Sequence, residues 1–596
     1  MLKPDLKVPE QKIASLSFSD TSPKAFRAWV SHLPMANLGE LSRQLYHAII
    51  ELNQLFIAPG QRLQLLELIR PKIRFVCDEL SRHYLGMAIS LPEKQRKIAN
   101  LSQALQLHAA AGYKLCILEL IDNGGPERNK RALIVCCHRA ISELGATVLR
   151  ASQLYGPSPV GSWHEAHQLY QFAMAHGLHD TQVPDESLQH RAGSSVAEAY
   201  KQLLLFGCAR ANQLRQSEME QAYHLLELWA DKTRCARELA SSALFIVNTG
   251  SDQPAVFRDL VPDSQTGTTL GFDSGNLAGL LETHLQNAED GRKTESPIRV
   301  PAGTSDTLIS HLSGAFGMLA KRNFNRLAAE GSLEVCAGLT SVHYFVSGQN
   351  SFSNFISGNE APAQGSDNRF MKPDRRDAWA TAHDAGTSDE RIMASADAPI
   401  NFQRQGFDSD ALNAKNRPNS YLTRLVNTSP GGYCVVWSSG DIPAALQAGE
   451  ILGVREQKTH PWSIAVVRWL RQTRSQGTRV GIELLAPNAS PCGVRLIQKT
   501  GQNSEFLRAL LLPEIAALGL PPSVVTPKLP FQVGSRVVLL HDQREDQGIL
   551  GKRVEATGSI SQFQLRLYNQ AGTTQESRNG EKPASEDEFD SLWPSL

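Results

Sequence analysis

The chain has 596 residues, and its 60 Lys and Arg residues are balanced by 60 Asp and Glu residues, so the formal net charge is zero. A neutral chain has no global field to attract nucleic acid or an anionic membrane surface, and any anion site must therefore be local. Its 41% hydrophobic and 20% charged residues are ordinary for a globular protein, and this length predicts about three or four domains.

The cysteines and the N-terminus bear on the compartment. Nine cysteines are present without a Cys-x-x-Cys pair, and several stand in apolar runs, which predicts buried thiols in a reducing compartment. The polar stretch Met1–Lys12 differs from a signal peptide, and no uninterrupted apolar run approaches the length of about 18 residues that a membrane helix needs. We expect a cytoplasmic protein with no integral membrane segment and no nucleic-acid partner.

Residues 1–240 have the apolar spacing of an α-helical array. One predicted helix begins at the capping pair Asn37 and Glu40, ends before Pro59-Gly60, and repeats an apolar residue every three or four positions. The same spacing predicts further helices near 63–69, 73–84, 95–123, 129–154, 162–176, 195–208 and 217–239. We find no convincing internal repeat, so a generic helical array is predicted. Such an array either binds a protein partner, which we expect, or is purely structural.

Residues 241–320 form a mixed connecting region. A short strand is predicted at 244–247, followed by a Gly-rich segment that lacks the Gly-Lys-Ser/Thr sequence of a phosphate loop. Helices are predicted at 277–285 and 304–320. The second helix leads directly into Arg322, and we expect it to couple the helical domain to the domain that follows.

Residues 321–488 are rich in short β-prone runs. Strands are predicted at 333–335, 342–346, 421–426, 433–437, 449–454, 462–470 and 479–484, with a turn over Asn427–Gly432. A polar stretch at about 347–419, rich in Gly, Ser, Asn and Asp, is predicted to be an insertion. A surface insertion of this kind is tolerable because the cost of closing a loop rises only logarithmically with its length.

Two short motifs flank these strands. The first is Arg322-x-x-x-Arg326, and the second is Asn427-x-Ser429-x-x-Gly432. Arginine binds phosphate and the guanine edge in a bidentate manner, Asn and Ser offer donors and acceptors, and Gly432 can adopt a positive φ that lets the turn curl tightly. In this order, with strands behind both, the motifs resemble those of the PilZ family of β-barrels, which bind cyclic di-GMP.

The resemblance implies roles for six residues. Arg322 and Arg326 would clamp guanine and phosphate, Asn427 and Ser429 would hold the other guanine edge, and Lys321 is a possible additional ligand-binding cation. Gly432 would complete the turn. One departure from the family is that Arg326 and Asn427 lie much further apart than usual, with the excess in the insertion at about 347–419.

The C-terminal region also predicts β-structure. Strands at 493–498, 506–511, 533–540 and 562–568 would form either a second small barrel or an extension of the first, within about 489–570. The polar residues 571–596 are predicted to be a disordered tail. The fold class is thus multidomain α+β, with an N-terminal α-helical array, a PilZ-like antiparallel β-barrel and a β-rich C-terminal extension.

These features favour a cyclic di-GMP receptor or adaptor in bacterial second-messenger signalling, in which ligand binding reorients the barrel relative to the helical domain. The alternative is a nucleotide-independent protein-interaction scaffold with a degenerate PilZ barrel. The sequence has no nucleophile elbow, metal-ligand cluster or paired carboxylates in a recognisable setting, so we expect neither catalysis nor a metal or cofactor besides the ligand.

Overall fold

A computed structural model describes residues 3–261, 269–290, 296–318, 326–358, 417–438, 442–473, 477–497, 504–515 and 521–568. Its helices are α1 (Pro23–Ser31), α2 (Leu38–Gln54), α3 (Pro59–Ser81), α4 (Glu93–Asp122), α5 (Gly125–Arg128), α6 (Lys130–Gln153), α7 (Ser162–Ala175), α8 (Val196–Cys208), α9 (Gln216–Trp229), α10 (Gly275–Glu289), α11 (Asp306–Phe316), α12 (Leu339–Val346) and α13 (Phe352–Ser357).

The strands fall into a two-stranded hairpin, a four-stranded sheet and two barrels. They are β1 (Val183–Pro184), β2 (Gly193–Ser194), β3 (Arg234–Ala236), β4 (Phe245–Asn248), β5 (Val256–Phe257), β6 (Thr269–Asp273), β7 (Leu327–Ala328), β8 (Ser332–Ala337), β9 (Tyr421–Ser429), β10 (Gly432–Trp437), β11 (Ile451–Arg455), β12 (Ser463–Thr473), β13 (Gly477–Ala486), β14 (Ser490–Leu496), β15 (Leu507–Leu512), β16 (Ser523–Pro527), β17 (Arg536–His541), β18 (Arg544–Ala556) and β19 (Ile560–Leu567). This multidomain α+β architecture confirms the predicted fold class.

The N-terminal helices bury the faces that their apolar spacing predicts. On α2, Leu41, Leu45, Ile49 and Leu52 are fully buried, and the Asn37 side chain accepts a hydrogen bond from the Glu40 amide at the helix start. The prediction of two helices around Pro71 was wrong, because α3 continues through this proline as one helix. Pro59 stands at its first turn, where the missing N–H group costs no hydrogen bond. The prediction of a helix over 217–239 was too long, since α9 ends at Trp229 and β3 follows.

Two helices, α4 and α6, are long and apolar enough to cross a membrane when judged by length and composition alone. Within the structure, 61% and 78% of their apolar windows are buried. The two helices pack against each other, and α3, α7, α8 and α9 surround them. Packing in a protein core therefore accounts for their apolar composition.

The connecting region folds as an antiparallel sheet in the order β3-β6-β4-β5, followed by α10 and α11. Helix α11 ends at Phe316, where the Gly317 amide donates to the Ser313 carbonyl. The predicted helix to residue 320 was thus too long. Its expected direct run into Arg322 lies outside the described residues, because the description stops at Met318 and resumes at Arg326.

The first barrel consists of antiparallel strands in the order β10-β13-β12-β11-β8-β9. Strand β9 also pairs with β10, and this pairing closes the barrel. The short strand β7 pairs with the same edge of β9 as β8 does. Buried apolar side chains such as Val335, Val435, Leu470 and Val480 fill the interior. Strand β9 continues through Asn427 and Ser429, so the predicted six-residue turn is in fact a tight hairpin at Pro430-Gly431.

The predicted strand at 342–346 was wrong, because these residues belong to α12. This helix packs between the two barrels, against β8 and β11 of the first and β14 and β15 of the second. Its Val342 joins a buried cluster with Ile451, Ile464 and Leu510. Contacts with distant strands therefore override the local β propensity. Residues 347–358, which include α13, form the described start of the predicted insertion, whose stretch at 359–416 lies outside the described residues.

The C-terminal strands form a second closed barrel in the order β14-β15-β16-β19-β18-β17. Of the two alternatives that the sequence left open, the structure therefore has a separate barrel. Strands β16 and β18 were not predicted. The interior contains Val494, Val524, Leu539 and Phe563, all fully buried. The predicted tail at 571–596 lies outside the described residues.

Candidate functional site

The second motif lies on the outer side of the first barrel, where five adjacent strands carry one row of residues. The cross-strand register places Ala328, Asn427, Cys434, Gly481 and Trp469 next to one another on β7, β9, β10, β13 and β12. Alternate residues, such as Val435 and Val480, point into the barrel core. We name the outward surface around this row the motif face.

The β9–β10 hairpin depends on a glycine. Gly432 has φ of 152°, and a Cβ atom there would lie 2.0 Å from the Ile482 carbonyl oxygen on β13. The hydroxyl of Ser429 donates to the Gly432 carbonyl at 3.3 Å. The predicted positive φ of Gly432 is confirmed, and the hairpin holds Asn427 and Ser429 on the motif face with both side chains partly exposed.

The second arginine of the first motif reaches the same face. Leu327 pairs with Thr428 and Ala328 with Asn427, so the exposed Arg326 comes alongside Ser429 when the register is continued. Burial raises the pKa of the Cys434 thiol, and the guanidinium groups of Arg479 and Arg326 oppose this rise. Both cations therefore stand near Cys434, the cross-strand neighbour of Asn427.

The structure thus brings four predicted site residues together, namely Arg326, Asn427, Ser429 and Gly432, although the long insertion separates the motifs in sequence. Lys321 and Arg322 lie outside the described residues. Their predicted roles stay predictions.

A row of arginines next to the motif row was missed in the sequence. In the strand register, Arg424 on β9 and Arg479 on β13 are the two cross-strand neighbours of Val436 on β10. Arg471 on β12 is in turn the cross-strand neighbour of Arg479. Like charges directly opposite each other on neighbouring strands are destabilising. Across the described ranges, Arg424 and Arg471 make no ion pair, so the motif face concentrates positive charge suited to an anion. The signal that could have revealed this row is the strand register.

Trp469 was also missed as a site residue. A Cβ atom on Gly481 would lie 1.9 Å from the Trp469 indole nitrogen, so the ring lies directly over the glycine backbone of the neighbouring strand. The indole is partly exposed. A flat aromatic surface beside guanidinium groups can stack with a nucleobase.

The chemistry of the motif face is that of binding. Guanidinium groups hold phosphate or a guanine edge, and Asn and Ser side chains pair with polar base edges. Among the residues that the structure describes, no group of three or more His, Cys, Asp or Glu side chains is arranged to hold a metal ion.

Comparison with known proteins finds matches along the whole described length. Residues 24–239 match the family model described as the N-terminal domain of the cyclic-di-GMP receptor FimW. Residues 244–491 match its middle PilZ domain, and residues 492–568 match the FimW C-terminal beta-barrel domain.

The cyclic-di-GMP receptor FimW of Pseudomonas aeruginosa (strain PAO1) is 42% identical over 605 residues, which cover 99% of this chain and 98% of that protein. No solved structure matches the chain.

Proposed function

Because this chain belongs to the FimW family of cyclic-di-GMP receptors, we propose that it binds cyclic di-GMP on the motif face of its first barrel. One observation carries the assignment to this face. Arg326, Asn427, Ser429 and Gly432 meet there from two segments that the insertion separates by sequence.

Each group on the motif face suits one part of the ligand. Arg326 makes charge-assisted hydrogen bonds to a phosphate or a guanine edge, and Arg322 and Lys321 add cations, as the PilZ resemblance implies. Asn427 and Ser429 pair with the other guanine edge. Arg479 supplies a further cation, and the Trp469 indole stacks on a base.

The readout we propose is a change in how the first barrel sits against the helical domain. A ligand can shift such an equilibrium only by as much as its affinity differs between the two arrangements. The change exposes or hides a surface of the helical domain for a protein partner. A cytoplasmic location and the absence of catalysis belong to the same proposal.

The first test is isothermal titration calorimetry with cyclic di-GMP. Replacing Arg326 by Ala removes charge-assisted hydrogen bonds worth about 3 kcal/mol, so binding weakens about a hundredfold. The matched control is Arg566→Ala, an exposed arginine on β19 of the second barrel, which leaves affinity unchanged.

Cyclic di-AMP serves as the guanine control and binds more weakly than cyclic di-GMP. A well-folded wild-type protein that binds no cyclic di-GMP contradicts the proposal. That result would leave the nucleotide-independent scaffold as the better hypothesis.

A further inference from the structure

Five consecutive residues of β12, in the first barrel, contact both the second barrel and the helical domain. We call this stretch, Arg468–Gln472, the relay segment. Its side chains reach the second barrel, the motif face, the core of the first barrel and the helical domain in turn. A strand advances about 3.3 Å per residue, so these contacts lie within about 15 Å of one another.

At its first residue the relay segment is tied to the second barrel. The register of β12 against β13 shifts between Val467 and Trp469, which leaves Arg468 as the extra residue of a β-bulge. Arg468 forms ion pairs with Glu483 on β13 and with Glu555 on β18. Burial lowers the pKa of the Arg468 guanidinium, but the two carboxylates outweigh burial and raise it. The two carboxylates therefore keep Arg468 charged and position its guanidinium between the two barrels.

The middle of the relay segment belongs to the motif face. Trp469 lies over Gly481, and Arg471 pairs with Arg479. Between them, Leu470 is fully buried in the barrel core. A ligand that stacks on Trp469 and forms an ion pair with Arg471 would therefore contact the residues directly before and after the buried Leu470. These contacts would restrict the motion of the strand backbone.

The last residue of the relay segment is tied to the helical domain. The backbone N–H of Gln472 donates to the Tyr155 carbonyl at 2.8 Å. The side-chain Nε2 of Gln472 donates to the Ile89 carbonyl at 2.5 Å. Tyr155 has φ of 53°, a left-handed backbone conformation that residues other than glycine rarely adopt. Its hydroxyl donates to the Leu214 carbonyl, so the helical domain itself holds this conformation.

We propose that the relay segment couples ligand occupancy of the motif face to the docking of the helical domain. This inference rests on the proposed function, because the ligand is cyclic di-GMP. Ligand contacts at Trp469 and Arg471 order the strand, and an ordered strand presents Gln472 to Tyr155 and Ile89. Linkage requires the reverse effect as well, so that loss of the Gln472 anchor weakens ligand binding.

The test compares Gln472→Ala with Gln182→Ala. Gln182 also donates a side-chain hydrogen bond, to Glu198, but within the helical domain and far along the chain from the motif face. The Gln472 backbone bond to Tyr155 persists in the Ala variant, so the fold is retained. Calorimetry gives the affinity for cyclic di-GMP. Hydrogen–deuterium exchange with and without cyclic di-GMP reports on peptides that contain Ile89 and Tyr155.

We expect Gln472→Ala to weaken cyclic di-GMP binding about fivefold, the lower end of typical coupling between sites, and Gln182→Ala to match the wild type. In the wild type, cyclic di-GMP should slow hydrogen–deuterium exchange around Ile89 and Tyr155. In Gln472→Ala, the ligand should no longer slow exchange there. The inference is overturned if Gln472→Ala has the wild-type affinity, or if cyclic di-GMP does not change exchange around Ile89 and Tyr155 in the wild type. Either result leaves the receptor function standing. A wild type that binds no cyclic di-GMP overturns the proposed function first and the inference with it.

Discussion

At the scale of single residues, the motif face depends on two positions that must lack a side chain. Gly481 makes room for the Trp469 ring, and Gly432 makes room for the Ile482 carbonyl. Gly331, just before β8, offers a comparison, because its φ of 133° is also positive but a Cβ atom there would meet nothing within 4 Å. Comparing substitutions at Gly432 and Gly331 therefore distinguishes the cost of backbone strain from the cost of steric overlap.

We predict that Gly432→Ala destabilises the protein more than Gly331→Ala does. Both variants bear the strain of a positive φ that a residue with a side chain rarely adopts, about 1–3 kcal/mol. Only Gly432→Ala adds a collision with a strand carbonyl, which costs about 1–3 kcal/mol more and lowers the melting temperature further. Thermal unfolding followed by circular dichroism measures the difference. Equal melting temperatures for the two variants would contradict the account of this hairpin.

At the scale of secondary-structure elements, α12 joins the two barrels and carries a buried histidine. The His343 ring stands edge-on against Phe352 and Phe355, at centroid distances of 5.2 and 5.0 Å. Burial, aided by the nearby Arg508 guanidinium, lowers the pKa of His343 to about 4, and a backbone hydrogen bond with Cys492 only partly opposes this. The packed element therefore favours the neutral imidazole.

The pH dependence follows from the direction of this shift. Because the folded pKa lies below the unfolded value of about 6.5, His343 contributes stability above pH 6.5 that is lost as the pH falls towards 4, up to about 3 kcal/mol. We predict that His343→Gln loses less unfolding free energy between pH 7 and pH 4.5 than the wild type, as measured by urea unfolding.

The control for this prediction is His167→Gln in the helical domain, where burial also lowers the pKa to about 4. Exchange measured at the inter-barrel contact distinguishes the two variants. Only His343→Gln should make exchange around α12 less sensitive to acid, whereas His167→Gln should leave that acid sensitivity as in the wild type. An α12 that responds to acid equally in both variants would count against His343 as the titrating group.

At the scale of the whole molecule, one side chain of the helical domain touches both barrels. Arg215, just before α9, donates to the Ala448 carbonyl at 3.1 Å and lies 3.6 Å from the Glu450 carboxylate of the first barrel. It also donates to the Ser559 hydroxyl of the second barrel, and Ser559 in turn donates to Glu450. Glu450 is buried, so this charge depends on its partners.

We predict that Arg215→Ala loosens the docking of the barrels on the helical domain. The variant loses the hydrogen bonds from Arg215 to the Ala448 carbonyl and the Ser559 hydroxyl and its ion pair with the Glu450 carboxylate, and each such bond to a charged group is worth about 1.5–3 kcal/mol. Small-angle X-ray scattering should show a larger radius of gyration. The control is Arg43→Ala, which breaks an exposed ion pair with Glu40 that solvent screens and that touches neither barrel. Identical scattering from the two variants would show that other contacts suffice for docking.

The sequence by itself determined the buried face of α2, the β-prone runs that became β12 and β13, and the two motifs, because helix spacing, strand composition and turn chemistry are local properties. Only the tertiary structure decided that α12 is a helix and that the C-terminal strands close into their own barrel. It also decided that Arg479 and Trp469 share a face with Asn427. Side chains alternate along a strand, so a shift of one residue moves each to the opposite face, and register depends on pairing between distant segments.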